Sequence, residues 1–279
     1  MICRAGQAFE SPITCMRPNE SLNILRRDGF CTLPGIIPEG DVGRVRESVS
    51  ASVHEHTSLP LPQGYVTGFL RVNQAVAPYL AHPGIMELVD ELFGSYARIS
   101  MLTGTINGPG ILRGPMHADW PYNQRHQSRI RAPYPDVIVN LVTMWMLTDF
   151  TRENGGTLVV PGSQNRRASP CPGTELDPMA AYEGEVQLLG KAGDVGVFDA
   201  RTWHAIAPNV SQHERVAVIV RYAPWWLNLN PLRPGTLDRK FIVDQHNGTD
   251  STVESLPVSV YENLPADVQP LFYSMLEET

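Results

Sequence analysis

A chain of 279 residues, 42% hydrophobic and 18% charged, has the material for one large domain and a substantial core. Its net charge of −7 and the lack of any long basic run argue against nucleic acid or an anionic membrane as partner. Four scattered cysteines (Cys3, Cys15, Cys31, Cys171) form no CxxC pair, so reduced thiols are expected rather than a zinc site or a disulfide framework. With no signal-like run and no membrane-length apolar segment, the expected location is the cytoplasm.

In chain order, residues 1–18 read as irregular and 19–28 as a short helix. A turn–strand–turn over Asp28–Gly35 comes next. Val42, Val45, Val49 and Val53 recur at helical spacing, which predicts a helix over 39–55. A second helix is predicted over 83–93, opened by Pro83 and stopped by Gly94.

The period then changes. Strands are expected over 97–106, 115–120, 137–147, 156–160, 185–189, 194–198, 202–206 and 215–222, separated by Gly, Pro, Asn and Asp. Helices followed by eight short strands predict a mainly β fold with flanking helices, a double-stranded β-helix of the jelly-roll, cupin-like type. No repeat is visible, so residues 1–279 are expected to form a single domain. It would carry a lid-like insertion at 121–136 and an extension over 223–279 that ends in a helix near 265–276.

The chemistry concentrates in His117-Ala118-Asp119, His204 and Arg215. Residues two apart on a strand project from one face, so His117 and Asp119 can reach one metal ion, and His204 adds a second imidazole from another strand. Two histidines and a carboxylate with open positions are the facial triad of non-haem Fe(II) oxygenases. Arg215, which begins an apolar run, suits the far carboxylate of a 2-oxo acid. Pro208–Ser211 is rich in turn formers, and a tight hairpin there would set His204 opposite Arg215. The bland alternative is a surface ion pair of Arg215 with Glu214 or Asp199. His54 and His56 lie on a predicted helix, where i and i+2 diverge. His82, His126, His213 and His246 sit in polar loops.

These residues resemble the phytanoyl-CoA dioxygenase family of Fe(II)/2-oxoglutarate oxygenases over about residues 22 to 225. The resemblance is carried by Arg27–Gly35, by Met116–Trp120, and most specifically by the segment from Trp145 through Glu153-Asn154-Gly155 to Pro161-Gly162-Ser163-Gln164. Lys191–Val195 and Trp203-His204, with Arg215 eleven residues on, complete it. Gln164 stands where relatives typically have His. The resemblance implies Fe(II) at His117, Asp119 and His204, 2-oxoglutarate on Arg215, and O2 as the oxidant. It also matches Thr143 to a position that contacts the co-substrate in some relatives. Ile206 departs from the Ser or Thr that several relatives place two residues after the distal His.

Asp119 fills the position that related halogenases keep small, so hydroxylation or a related oxidation is expected. The competing reading is a cupin-like metal hydrolase or isomerase that does not use 2-oxoglutarate. The expected partner is a small, largely apolar organic molecule, suggested by Met101, Met144, Trp145 and Met146; a homodimer stays open.

Overall fold

The computed structural model describes residues 18–57, 59–119, 136–166, 169–170, 175–227, 235–236 and 255–277. Helix α1 (Pro18–Asp28) leads into β1 (Phe30–Leu33), followed by α2 (Glu39–His56), β2 (Gln63–Val66) and α3 (Pro83–Phe93). The strands β3 (Ala97–Asn107), β4 (Leu141–Met146), β5 (Leu158–Val159), β6 (Val186–Gln187), β7 (Val195–Asp199), β8 (His204–Ala205) and β9 (Arg215–Pro224) come next. Short helices at Val258–Glu262 and Gln269–Phe272 close the described chain. The end of α3 follows helix-terminus chemistry: His82 Nδ1 accepts from Gly84 N at 3.1 Å, Pro83 sits in the first turn, and Gly94 at φ +74° stops the helix.

Among the described residues the named strands all pair antiparallel, and a single parallel bridge joins Leu256 to Leu276. The larger sheet has the order β1-β7-β4-β9-β3-β2 and the smaller β6-β5-β8, which a bridge between His117 and His204 extends by one line. The architecture is mainly β, a double-stranded β-helix with helices on one side.

Side chains alternate across each strand, and this sorts the apolar residues into layers. On β9, Val216, Val218, Val220 and Tyr222 join the valines of α2 and Ile85, Leu88 and Val89 of α3 in the main core. Burying each such side chain contributes about 1.5–3 kcal/mol, so this helix–sheet layer holds the large sheet flat against α2. Gly104 permits the approach: a Cβ there would lie 2.7 Å from the Phe69 ring and 2.9 Å from Val53. The opposite face of the large sheet contributes Val142, Met144, Met146, Phe198 and Ala217. These meet Val159 and Leu188 of the smaller-sheet side in a second cluster between the sheets.

Several expectations need correction. The expected strand over 115–120 is reduced to the single bridge at His117, and β2, whose sequence holds little apolar material, gave no signal. The expected terminal helix is a four-residue turn of α-helix at Gln269–Phe272 continued by a 3-10 turn. His204 and Arg215 are not cross-strand neighbours in one hairpin. His204 pairs with Val159 in the smaller sheet, and Arg215 with Asn107 in the larger. The turn-rich segment crosses between the sheets, tied by Asn209 Nδ2, which donates at 2.8 Å to the carbonyls of both Asn107 and His213. The expected insertion lies outside the described residues except for Asp136.

Candidate active site

Asp119 is largely buried, and a ligating atom from each of His117, Asp119 and His204 lies within 4.8 Å of the others. Among the described residues this is the one grouping of three His, Cys, Asp or Glu side chains able to hold a metal ion. His117 comes from the bridging segment and His204 from β8, brought together by the reciprocal bonds His117 N to His204 O (3.0 Å) and His204 N to His117 O (2.8 Å). That pairing, rather than a hairpin, unites the ligand candidates.

The tautomers are set by the backbone. Each Nδ1 faces a carbonyl at 2.9 Å, Pro115 O for His117 and Thr202 O for His204, and a carbonyl can only accept. The proton therefore sits on Nδ1, and the Nε2 lone pairs point toward Asp119, at 3.8 Å from Oδ1 for His117 and 3.7 Å from Oδ2 for His204. Burial, reinforced by His117, pushes the His204 pKa down to about 4, which leaves it neutral and able to ligate at neutral pH. Burial alone would raise the Asp119 pKa, but Arg221 and then the two imidazoles outweigh it and hold the carboxyl below its ordinary value. Imidazole nitrogens together with an ionised carboxylate are a donor set that suits Fe(II).

Arg215 begins β9 with its side chain on the inner face, 4% exposed. Its Nη1 donates to Thr157 Oγ1 at 3.3 Å, its Nη2 faces the Asn107 side-chain amide, which satisfies both of its polar atoms when oriented with the oxygen toward the guanidinium, and the guanidinium lies 4.5 Å from the centre of the Phe150 ring. Its Nε has no partner, and no carboxylate of the described residues pairs with it. The bland alternatives for Arg215 are gone: Glu214 pairs with His54 at 3.0 Å and Asp199 with Arg201 at 2.6 Å. Burial lowers the Arg215 pKa to about 10, which leaves the group charged.

Thr143 requires a correction. On β4 it faces the same way as Leu141 and Trp145, toward the helices, whereas Val142, Met144 and Met146 face inward. Its hydroxyl is used twice within that layer, accepting from Trp145 Nε1 at 2.9 Å and donating to Val220 O at 3.1 Å. The hydroxyl beside Arg215 is that of Thr157 instead. Thr143→Val is therefore expected to leave 2-oxoglutarate affinity unchanged. It should cost about 1–3 kcal/mol of stability, since the buried indole N–H loses its acceptor. Parallel denaturant melts and co-substrate titrations check both halves.

Of the expected apolar lining, Met144 and Met146 face the interior, whereas Trp145 packs among the helices. Gln164 serves α1: its amide donates to the carbonyls of Arg26 and Arg27 at 3.1 and 3.3 Å. Ile206 packs against Gly114 and offers no hydroxyl.

Thr157 and Asn107 emerge only with the structure, as does the pairing of Arg221, the next candidate after Arg215 for the co-substrate, with Asp119. Arg221 is the one with a legible signal, because the even spacing from Arg215 on a strand places both on one face. The pairings Arg221 opposite Val142 and Ala217 opposite Met146 realise that spacing on the inner face.

Comparison with known proteins agrees with this geometry. The phytanoyl-CoA dioxygenase family model matches residues 25–217. Dioxygenase af480 of Aspergillus fumigatus is 31% identical over 145 residues, 51% of this chain and 42% of that protein. The uncharacterized protein Rv1501 of Mycobacterium tuberculosis is 28% identical over 208 residues, 68% of this chain and 69% of its own length. The chain thus spans under half the length of the first relative.

Among solved structures, the α-ketoglutarate-dependent epimerase SnoN from nogalamycin biosynthesis superposes with a TM-score of 0.58 at 21% identity. It covers 80% of this chain and 94% of its own. HygX from Streptomyces hygroscopicus with nickel and 2-oxoglutarate bound gives 0.61 at 15% identity, covering 79% and 93%. At such identities these two likenesses speak for the fold. The family match, together with the triad it spans, establishes that the chain belongs to the phytanoyl-CoA dioxygenase family of Fe(II)/2-oxoglutarate-dependent oxygenases.

Proposed function

We propose that this protein holds Fe(II) through His117, Asp119 and His204 and 2-oxoglutarate through Arg215, and hydroxylates an unactivated C–H bond of a small organic molecule. The observation that carries the reading is Arg215, a buried guanidinium on the inner face with no carboxylate partner among the described residues. A buried charge without a counter-ion is costly, so the site is built for a bound anion. A hydrolase or isomerase using the triad alone would leave that charge uncompensated.

The iron, with 2-oxoglutarate and O2, would supply the oxidant, and the balance is one substrate, one 2-oxoglutarate and one O2 giving hydroxylated product, succinate and CO2, with one oxygen atom in the product and the other in succinate. The chain's own residues do the rest. The carbonyls of Pro115 and Thr202 fix the tautomers that aim both Nε2 atoms inward. Thr157 and Asn107 hold the Arg215 fork in place before any ligand arrives, which reduces the ordering cost of binding. Met144, Met146 and Phe150 exclude water from the anion end and strengthen its pairing with Arg215.

The inward methionines favour a substrate with a substantial apolar part. Asp119 at the carboxylate position favours oxygen over halogen transfer.

Anaerobic titration of the Fe(II) protein with 2-oxoglutarate tests the assignment. Chelation by the keto acid gives a weak visible charge-transfer band, expected to saturate at one equivalent. No band, with iron bound, would reject the co-substrate assignment. A screen of small molecules for succinate release would then identify the substrate class.

A further inference from the structure

Strand β9 presents two guanidiniums to the interior. Among the described residues Arg215 lacks a carboxylate partner, whereas Arg221 has taken the triad's carboxylate: its Nη2 lies 2.6 Å from Asp119 Oδ1, with both side chains 10% exposed. The other oxygen, Oδ2, is the one 3.7 Å from His204 Nε2. As a device for stability this pair is a poor choice, because well-packed apolar residues usually do as well as a buried ion pair. Its position at a candidate ligand asks for another explanation.

Counting coordination positions supplies one. In a six-coordinate ion two imidazoles would fill two positions, a chelating keto acid two more, and O2 would need one. A single position is left for Asp119. A free carboxylate has two oxygens and can chelate, which would take the position that the co-substrate or O2 requires. A charge-assisted hydrogen bond to Oδ1 removes that option.

We propose that Arg221 is a positioning residue that confines Asp119 to one-oxygen ligation through Oδ2 and so reserves a coordination position for the keto acid. This rests on the oxygenase reading above and adds a division of labour on β9: Arg215 holds the far end of the co-substrate and Arg221 guards the metal end.

The test uses the full chain loaded with Co(II), whose visible d–d absorption strengthens as coordination number falls. Calorimetry would measure Co(II) binding and then 2-oxoglutarate binding for the native protein, Arg221→Gln and Arg221→Lys. Arg221→Gln removes a positive charge beside the cation and frees Oδ1. Its Co(II) affinity should therefore be unchanged or tighter, while 2-oxoglutarate binds about tenfold more weakly or worse, equivalent to about 1.4 kcal/mol. The d–d spectrum of its Co(II)–2-oxoglutarate form should differ from native. Arg221→Lys, which keeps a cation at Oδ1, should recover most of the lost affinity.

Unchanged 2-oxoglutarate affinity in Arg221→Gln overturns the proposal. So does a parallel fall of Co(II) and 2-oxoglutarate binding in both variants, the mark of a merely structural role. If the native Co(II) protein fails to bind 2-oxoglutarate, the oxygenase reading itself falls. If native binds and Arg221→Gln is indistinguishable from it, only the role of Arg221 falls.

Discussion

Arg215→Met is expected to abolish useful 2-oxoglutarate binding without harming the fold. Truncating one partner of a desolvated charge pair costs about 2–5 kcal/mol, a loss of roughly 30-fold or more in affinity. The ligand-free protein should behave differently. There, among the described residues, the guanidinium is buried beside Thr157, Asn107, the Met144 sulfur and the Phe150 face, with no carboxylate. Replacing it by an apolar side chain of similar length removes an uncompensated charge, so the melting temperature of the free protein should hold or rise. Addition of 2-oxoglutarate should raise the melting temperature of the native Co(II) protein by mass action and leave that of Arg215→Met unmoved. A native-sized shift in the variant would show that the anion is held elsewhere.

This separation of fold from function parallels what could be read from the chain itself. The helices were legible because Val42, Val45, Val49 and Val53 must all meet one surface, and because Pro83 and Gly94 punctuate the third helix. Strand β9 was legible because alternation puts arginines on one face and valines on the other. The grouping of His117, Asp119 and His204 was legible from residue type and spacing, although the strand expected to carry the first two is reduced to a single bridge.

What failed was anything that depends on which sheet a strand joins. His204 and Arg215 have the spacing of a hairpin, and nothing local reveals that Asn209 carries the chain from one sheet to the other. Thr143 failed for a similar reason. A threonine two residues before a tryptophan shares its face, and Trp145 packs among the helices. The partners of Arg215, Thr157 and Asn107, come from strand contacts 58 residues away in one case and from a neighbouring strand's register in the other. Neither leaves a local trace.

Asp119 is where metal binding and stability should come apart most sharply. Asp119→Ala removes the only anionic donor of the triad and leaves the Arg221 charge beside two imidazoles, so the site changes from cation-attracting to cation-repelling. Loss of a residue that merely orients a ligand costs about 10–100-fold in metal affinity; loss of this donor, with the sign of the local field reversed, should cost more and eliminate substrate oxidation. The same substitution strands Arg221 in a largely buried position, and breaking such a pair costs about 3–5 kcal/mol when it is fully buried. With each side chain 10% exposed the cost should be somewhat lower, but still visible as a fall in melting temperature. The double variant Asp119→Ala/Arg221→Met distinguishes the two effects. It removes the stranded charge and should regain most of the lost melting temperature, while Fe(II) or Co(II) binding stays lost. Calorimetric metal titration beside thermal melts measures both quantities on the same samples. Native metal affinity in Asp119→Ala would exclude this carboxylate as a ligand, and a double variant as unstable as the single one would mean that the Asp119–Arg221 pair is not what the single substitution breaks.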